Sequence, residues 1–387
     1  MSFYRRLSFM LTPPAILLVG HFYLAQRLAW ALPNVYWQTL CLTFIIFMYV
    51  GITLGFLIRH DRSTPVNDVI LWLAFSFLGL FSWLFVLSLL RDLLLFVFWG
   101  LHRWFHLSFA TEGEIKMFTA IGVVFISLVA LLVGYFNARR TPPIVQINIP
   151  IVHLPSELEN FTIAQITDLH IGPTIKRPFV EKVVQATNAL NADVIALTGD
   201  LIDGDVLGLR EHTQPLTNLK APLGVFAVTG NHEYYSGATQ WVEEYRQLGL
   251  QVLQNEHVVL TVNHQQIVLG GVTDYDAGRF NASEASDPAQ AIKNSPPNVA
   301  VKILLAHQPR SMWAAEKAGF NVQLSGHTHG GQFWPWGYFV RLQQPVVAGL
   351  HKHKNLFVYT SRGTGYWGPP MRIWANSEIT LIRLKSA

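Results

Sequence analysis

Three stretches of this chain, residues 36–58, 69–90 and 115–136, are long and apolar enough to cross a bilayer, and no other feature restricts the fold as strongly. Hydrocarbon offers a backbone no water to bond. A run of about 20 apolar residues there must close its N–H and C=O groups on one another as a helix. A fourth stretch, 11–32, has the length but is interrupted by Pro13, Pro14, His21 and Arg27. We therefore expect an all-α transmembrane bundle of about four helices at the start of the chain.

Composition divides at the same point. The chain is 51% hydrophobic and only 13% charged, against about 25% charged in soluble proteins. The deficit sits in residues 1–136, the transmembrane helical region. Residues 137–157 read as a linker and first strand, opening with the charged, Pro-rich run Asn137 to Pro143, and 158–387 as a soluble α/β domain large enough for its own core. The net charge of +4 raises nucleic acid as a partner, but no run of clustered Lys and Arg with interleaved aromatics occurs, which excludes it. The single cysteine, Cys41, lies in an apolar run and rules out a disulfide framework or a thiolate zinc site.

Orientation follows the bias of Lys and Arg toward the cytoplasm. With four spans and the N-terminus inside, Arg5, Arg6, Arg59, Arg62, Arg139 and Arg140 fall inside and Arg91, Arg103 and Lys116 outside. That count gives a multi-pass protein of the cell (inner) membrane with its soluble domain in the cytoplasm. Three spans would put the domain on the other side. The piece after Arg91 and Asp92 is too short to cross alone and reads as an interfacial extension carrying Trp99 and Trp104. His21, Arg27, Arg91 and Asp92 admit a transport path or plain local pairing; no span carries the series of polar residues a path needs.

In the soluble domain, five short β-rich runs, 161–166, 194–197, 224–228, 301–305 and 321–324, each end in polar residues able to hold a metal. Helical patterns at 178–190, 239–248 and 311–318 separate several of them. Such alternation predicts a largely parallel or mixed sheet with helices outside, and in such sheets ligands collect beyond the carboxyl ends of the strands. The polar clusters are Asp168 and His170; Gly199 and Asp200; Gly230, Asn231, His232 and Glu233; His307; and Gly326, His327 and His329. Any one of these is ordinary turn chemistry. Together they put three oxygen donors and four imidazoles past five apolar runs. Mixed oxygen and imidazole donors without thiolate suit divalent metal ions such as Mn, Fe or Zn. Glycines before Asp200, Asn231 and His327 permit close approach of separate loops.

The ordered series D-x-H, G-D, G-N-H-E, H and G-H-x-H resembles the calcineurin-like metallophosphoesterase family, over about residues 158–384. The resemblance implies a four-layer α-β-β-α sandwich of two mixed sheets with the metals at one edge. It implies that Asp168, His170, Asp200 and His329 hold one metal and Asp200, Asn231, His307 and His327 the other, with Asp200 shared. His232 would be the catalytic residue, a general acid or a stabiliser of phosphoryl charge, and Glu233 would orient a neighbouring loop. Residues 361–372 and Glu378 resemble a branch of the family whose members are often tied to membranes, although Ser377 stands where proline is expected.

Arg362 and Arg372 read equally as phosphate contacts or structural ion-pair partners, and Asp203, Asp274 and Asp276 as caps or supports of the ligands. The remaining histidines of the domain, at 153, 212, 257, 264, 351 and 353, read as surface or loop residues. The dense aromatics at 333–339 read either as a lip facing a membrane or as a loop packed on the domain. The expected function is that of a membrane-anchored phosphodiesterase or pyrophosphatase on a lipid-linked phosphoester, with the bilayer as partner. Rivals are a phosphatase of soluble nucleotides or phosphoproteins, and a membrane sensor or transporter with a degenerate hydrolase domain.

Overall fold

The computed structural model describes residues 3–58, 64–105 and 112–387. Arg59 and Arg62 lie outside the described residues, as do the side chains of Arg5 and Arg6. The chain forms two compact units, Met1–Tyr135 with Gly368–Met371, and Phe136–Trp367 with Arg372–Ala387.

The first unit is built on four helices, α1 (Phe3–Leu28), α2 (Val35–Ile58), α3 (Pro65–Phe105) and α4 (Glu112–Arg139). Among the described residues three helices, corresponding to α2, α3 and α4, are long and apolar enough to cross a membrane. Helix α1 is the one carrying Pro13 and Pro14. Leu24, Met48, Ile52 and Leu84 form the buried seam of the unit, while most other apolar side chains of α2 to α4 face outward, as expected of helices whose solvent is lipid. Helix α3 continues through Arg91 and Asp92. The Arg91 guanidinium donates to Thr119 Oγ1 (2.9 Å), Lys116 O (2.8 Å) and Arg27 O (3.2 Å), and Asp92 accepts from Arg27 Nε (2.8 Å) and the Tyr23 hydroxyl (2.9 Å). Local pairing therefore accounts for these charges.

The second unit has twelve strands: β1 (Ile144–Ile151), β2 (Thr162–Ile166), β3 (Val194–Thr198), β4 (Val225–Val228), β5 (Gln251–Val252), β6 (Glu256–Val262), β7 (Gln265–Gly271), β8 (Val301–Leu305), β9 (Val322–Ser325), β10 (Gly349–His353), β11 (Leu356–Thr360) and β12 (Ile379–Ser386). They form two six-stranded sheets in the orders β1-β12-β2-β3-β4-β5 and β10-β11-β9-β8-β7-β6. The helices are α5 (Arg177–Asn188), α6 (Val206–Thr213), α7 (Asn231–Ser236), α8 (Ala238–Gln247), α9 (Pro288–Ile292), α10 (Met312–Ala318) and α11 (Trp336–Val340).

Period-two alternation builds the layers. In β3, Ile195 and Leu197 pack with Val180 and Val183 of α5 and Trp241 of α8, while Val194 and Ala196 face the core between the sheets. In β8, Ile303 and Leu305 enter that same central core and Leu304 turns outward toward Ala291 of α9 and Met312 of α10. Helices, sheet, sheet and helices thus make four layers. Strands β2, β3 and β4 run parallel, as do β7, β8 and β9, so the carboxyl ends within each set emerge together.

Candidate metal centre

Every residue of the sequence-derived set lies just past one of these carboxyl ends. Asp168 and His170 follow β2, Asp200 follows β3, Asn231 opens α7 after β4, His307 follows β8, and His327 and His329 follow β9. Backbone bonds stitch the loops together. His170 N donates to Asp200 O (3.1 Å), Gly326 N to His307 O (2.9 Å), His327 N to Asp168 Oδ1 (2.9 Å) and His232 N to Asp200 Oδ1 (2.8 Å). Two glycines make this possible: a Cβ at Gly230 would collide with the Asp200 carboxylate, and one at Gly326 with that of Asp168. Asp168, His170, Asp200, His327 and His329 all hold φ between 50° and 70°, in the left-handed region. Such backbone costs about 1–3 kcal/mol per residue and persists where the surroundings over-determine it, most often at functional sites.

The donor atoms fall into groups. Asp168, His170 and His329 place one donor atom each within 4.8 Å of one another, as do Asp200, His307 and His327, and His170, Asp200 and His232 link the two. Asn231 sits beside them with a buried Oδ1 that has no hydrogen-bond partner among the described residues. Six of the seven candidate donors, Asp168, His170, Asp200, His307, His327 and His329, thus fall in overlapping groups that share His170 and Asp200.

Charge and tautomer decide whether such a pocket suits cations. Burial opposes charge on His307, but Asp200 Oδ2 lies 3.1 Å from its Nε2 and holds the imidazole well above the usual histidine range. As an imidazolium it donates Nδ1–H to Thr198 O (2.8 Å), leaving the Nε2 proton between ring and carboxylate. His327 is pushed down to about 3, by burial first and then by the charge of His307. His329 is held well below its ordinary value by burial and by Arg372, whose Nη2 lies 3.0 Å from Nδ1. With Nδ1 accepting from Arg372, the proton of His329 sits on Nε2, 3.0 Å from Nε2 of His170. His170 in turn directs Nδ1 to Asp203 at 3.1 Å. Buried carboxylates, an unpaired carbonyl oxygen and imidazoles, those of His170, His307 and His329 with anchored far nitrogens, fit divalent cations, whose entry would release the protons now shared at the centre.

Glu233 ties the loops beneath. It accepts from the amides of Gly230 (2.6 Å), Leu201 (2.8 Å) and Asp200 (3.1 Å) and from the Tyr245 hydroxyl (2.9 Å). His232 stands over the centre with its ring 4.7 Å from that of His170 and 5.8 Å from that of Trp367. Its Nδ1 is in very short contact with Asp203 Oδ1. Burial opposes its charge, yet Asp203 and Asp200 push its pKa up to about 9.

Asp203, read from the sequence only as a cap or support, is thus the shared partner of His170 and His232; its position three residues after Asp200, in the same loop, was the available signal. Asp274 is buried and accepts from Gln308 Nε2 (3.1 Å) and Asp276 N (2.8 Å). Arg310, absent from the sequence-derived set, joins this network through Asp276 Oδ2 (2.8 Å) and Gln308 Oε1 (2.6 Å). Arg372 is structural. It is wholly buried and donates to the carbonyls of Gly365, His329, Arg362 and Ala375. Arg362 pairs with Glu378 at 3.0 Å.

The family model for calcineurin-like phosphoesterases matches residues 161–331. A Danio rerio protein described as a transmembrane protein with metallophosphoesterase domain is 30% identical across 99% of this chain and 90% of its own length. A Bos taurus protein of the same description is 36% identical across 68% of this chain, which spans 62% of that protein. A Helicobacter pylori metallophosphoesterase is 36% identical across 70% of this chain and 71% of its own.

Proposed function

The chain belongs to the calcineurin-like phosphoesterase family, and from that premise we propose that this metal-dependent phosphoester hydrolase cleaves a lipid-linked phosphodiester or pyrophosphate at the cytoplasmic face of the cell membrane. The observation that carries the reading is the run of donor groups from Asp168, His170 and His329 through Asp200 to His307 and His327, in a chain with three membrane-capable helices among the described residues. The full donor set opposes a degenerate site. Crossing by α1 as well as α2 to α4 would bring Arg139, Arg140 and the hydrolase to the cytoplasm.

In this reading Asp168, His170, His329 and Asp200 would hold one cation, and Asp200, Asn231, His307 and His327 the second. Bound there, two divalent cations would supply Lewis-acid neutralisation of phosphoryl charge and lower the pKa of a water. The chain's own residues do the rest. His232 gives the proton of Nε2 to the leaving oxygen, while Asp203, bonded to Nδ1, fixes the ring and keeps it protonated. Asp203 also fixes Nδ1 of His170, so one carboxylate orients a ligand and the acid together. Glu233 holds the amides of Gly230, Asp200 and Leu201 in register beneath them.

The test is hydrolysis by purified full-length protein of a panel holding a soluble diester, a monoester and lipid pyrophosphates, with Mn, Fe and Zn compared as the added metal. Turnover of lipid pyrophosphate far above the soluble compounds is expected. Preference for soluble monoesters would overturn the lipid reading.

A further inference from the structure

One surface of the second unit is left unexplained by the hydrolase site. Helix α11 and its flanks expose Tyr338 (67%), Phe339 (56%) and Leu342 (85%), and Trp374 is 77% exposed. These are not scattered. The Trp336 ring lies 5.6 Å from Phe339, and Trp334 packs edge-on against Trp374 at 6.3 Å. The patch also runs back to the centre. Gln332 binds both N and O of Trp367 (2.9 and 2.8 Å), and Trp367, itself half-exposed, has its ring against His232.

Charge sets this stretch apart too. From Lys317 to Ser377 there is no Asp or Glu, in a chain that holds 24, while Lys317, Arg341, Lys352, Lys354, Arg362 and Arg372 fall within it. Arg341, adjoining α11, is exposed. Lys354 and Arg362 pair with Glu316 and Glu378, and Arg372 is buried, which leaves Arg341 as the cation adjoining the exposed aromatics. Exposed Trp, Tyr and Phe beside an Arg is the composition of a headgroup-level belt, where aromatic rings sit at the boundary and cations meet anionic lipid.

We propose that Trp336, Tyr338, Phe339, Leu342 and Trp374 form a rim that inserts into the headgroup region of an anionic bilayer, with Trp367 continuing it to the metal centre. The rim stands apart from which bond the site hydrolyses, and it gives a lipid-borne phosphate a path to His232 without leaving the membrane.

The chain's one cysteine makes the test direct. In a Cys41→Ser background, full-length protein carrying Tyr338→Cys, Trp374→Cys or, on the exposed face of α6, Glu211→Cys is labelled with an environment-sensitive fluorophore. Each is placed in nanodiscs of phosphatidylcholine with or without phosphatidylglycerol, including lipids with nitroxides at the headgroup or upper acyl chain. Retained turnover of a soluble diester reports folding. The proposal expects quenching at 338 and 374 several-fold above that at 211, rising with the anionic lipid. Quenching at 338 and 374 no greater than at 211 overturns it. So does protection of those labels from aqueous iodide without quenching by lipid nitroxides, which would mean that protein covers the patch.

Discussion

Asp203 Oδ1 is shared between Nδ1 of His232 and Nδ1 of His170, so one part-buried carboxylate joins the candidate acid to a candidate metal ligand. If the acid form of His232 protonates the leaving oxygen as proposed, the rate is high below its pKa and falls as pH rises through it. Burial lowers that pKa, but Asp203 and then Asp200 raise it to about 9. Asp203→Asn removes the main raising charge. The basic limb of the kcat/KM profile should move acidward by about one unit or more. An unmoved limb would separate Asp203 from proton transfer.

His232→Ala should spare cation content, because the ring supplies none of the seven donors, and should slow hydrolysis of poor leaving groups by about 10²- to 10⁴-fold. Diesters with an acidic phenol as leaving group should lose far less. Equal losses on both, read from steady-state rates with metal content checked, would argue against a general acid.

Glu233→Gln keeps the shape and reverses half the chemistry. Its carboxylate accepts from three backbone amides and Tyr245, and an amide NH₂ turned toward those donors leaves at least one unpaired. A loss of about 2–4 kcal/mol of stability is expected, from one or two charge-assisted bonds and the buried group left behind. Denaturant unfolding and cation affinity should both weaken; an unchanged midpoint would contradict the account.

Arg372→Met leaves the carbonyls of Gly365, His329, Arg362 and Ala375 without their donor in a fully buried place. The cost should reach about 3 kcal/mol or more. Arg372→Lys should not restore it, because an ammonium has no planar fork to reach carbonyls on several sides. Thermal unfolding of both variants is the measurement, and a wild-type midpoint for either would show the guanidinium to be dispensable.

Trp336→Ser together with Trp374→Ser should lower turnover of bilayer-embedded substrate about tenfold or more while leaving a soluble diester near its wild-type rate, since each exposed ring contributes apolar area only where lipid meets it. Equal loss on both substrates would mean that the aromatics serve the fold.

How much of this was legible in the sequence depended on what surrounds each element. The runs that became β2, β3, β4, β8 and β9 are buried on both faces, and such strands read as continuous apolar stretches. The hairpin β6–β7 turns at Asn263 and His264, both with positive φ, and without a glycine there the turn gave no clear signal. Strand β1 pairs in parallel with β12 from the far end of the chain, a partnership no local pattern encodes. Helix α3 reads as a span ending near Arg91 because two charges in an apolar run look like a terminus; their partners on α1 and α4 let the helix continue. In the centre, residue types and spacing named the candidate donors, while the contacts of Asp203 with His170 and His232 needed the loop geometry.

The central claim is that one aspartate binds two cations at once. Metal analysis of purified full-length protein and of Asp200→Asn, with hydrolysis of a soluble diester followed on the same samples, tests it most directly. About two divalent cations per chain in the parent, and loss of both with the activity in the variant, is the predicted result. A variant that keeps two cations and hydrolyses at the parent rate would contradict it.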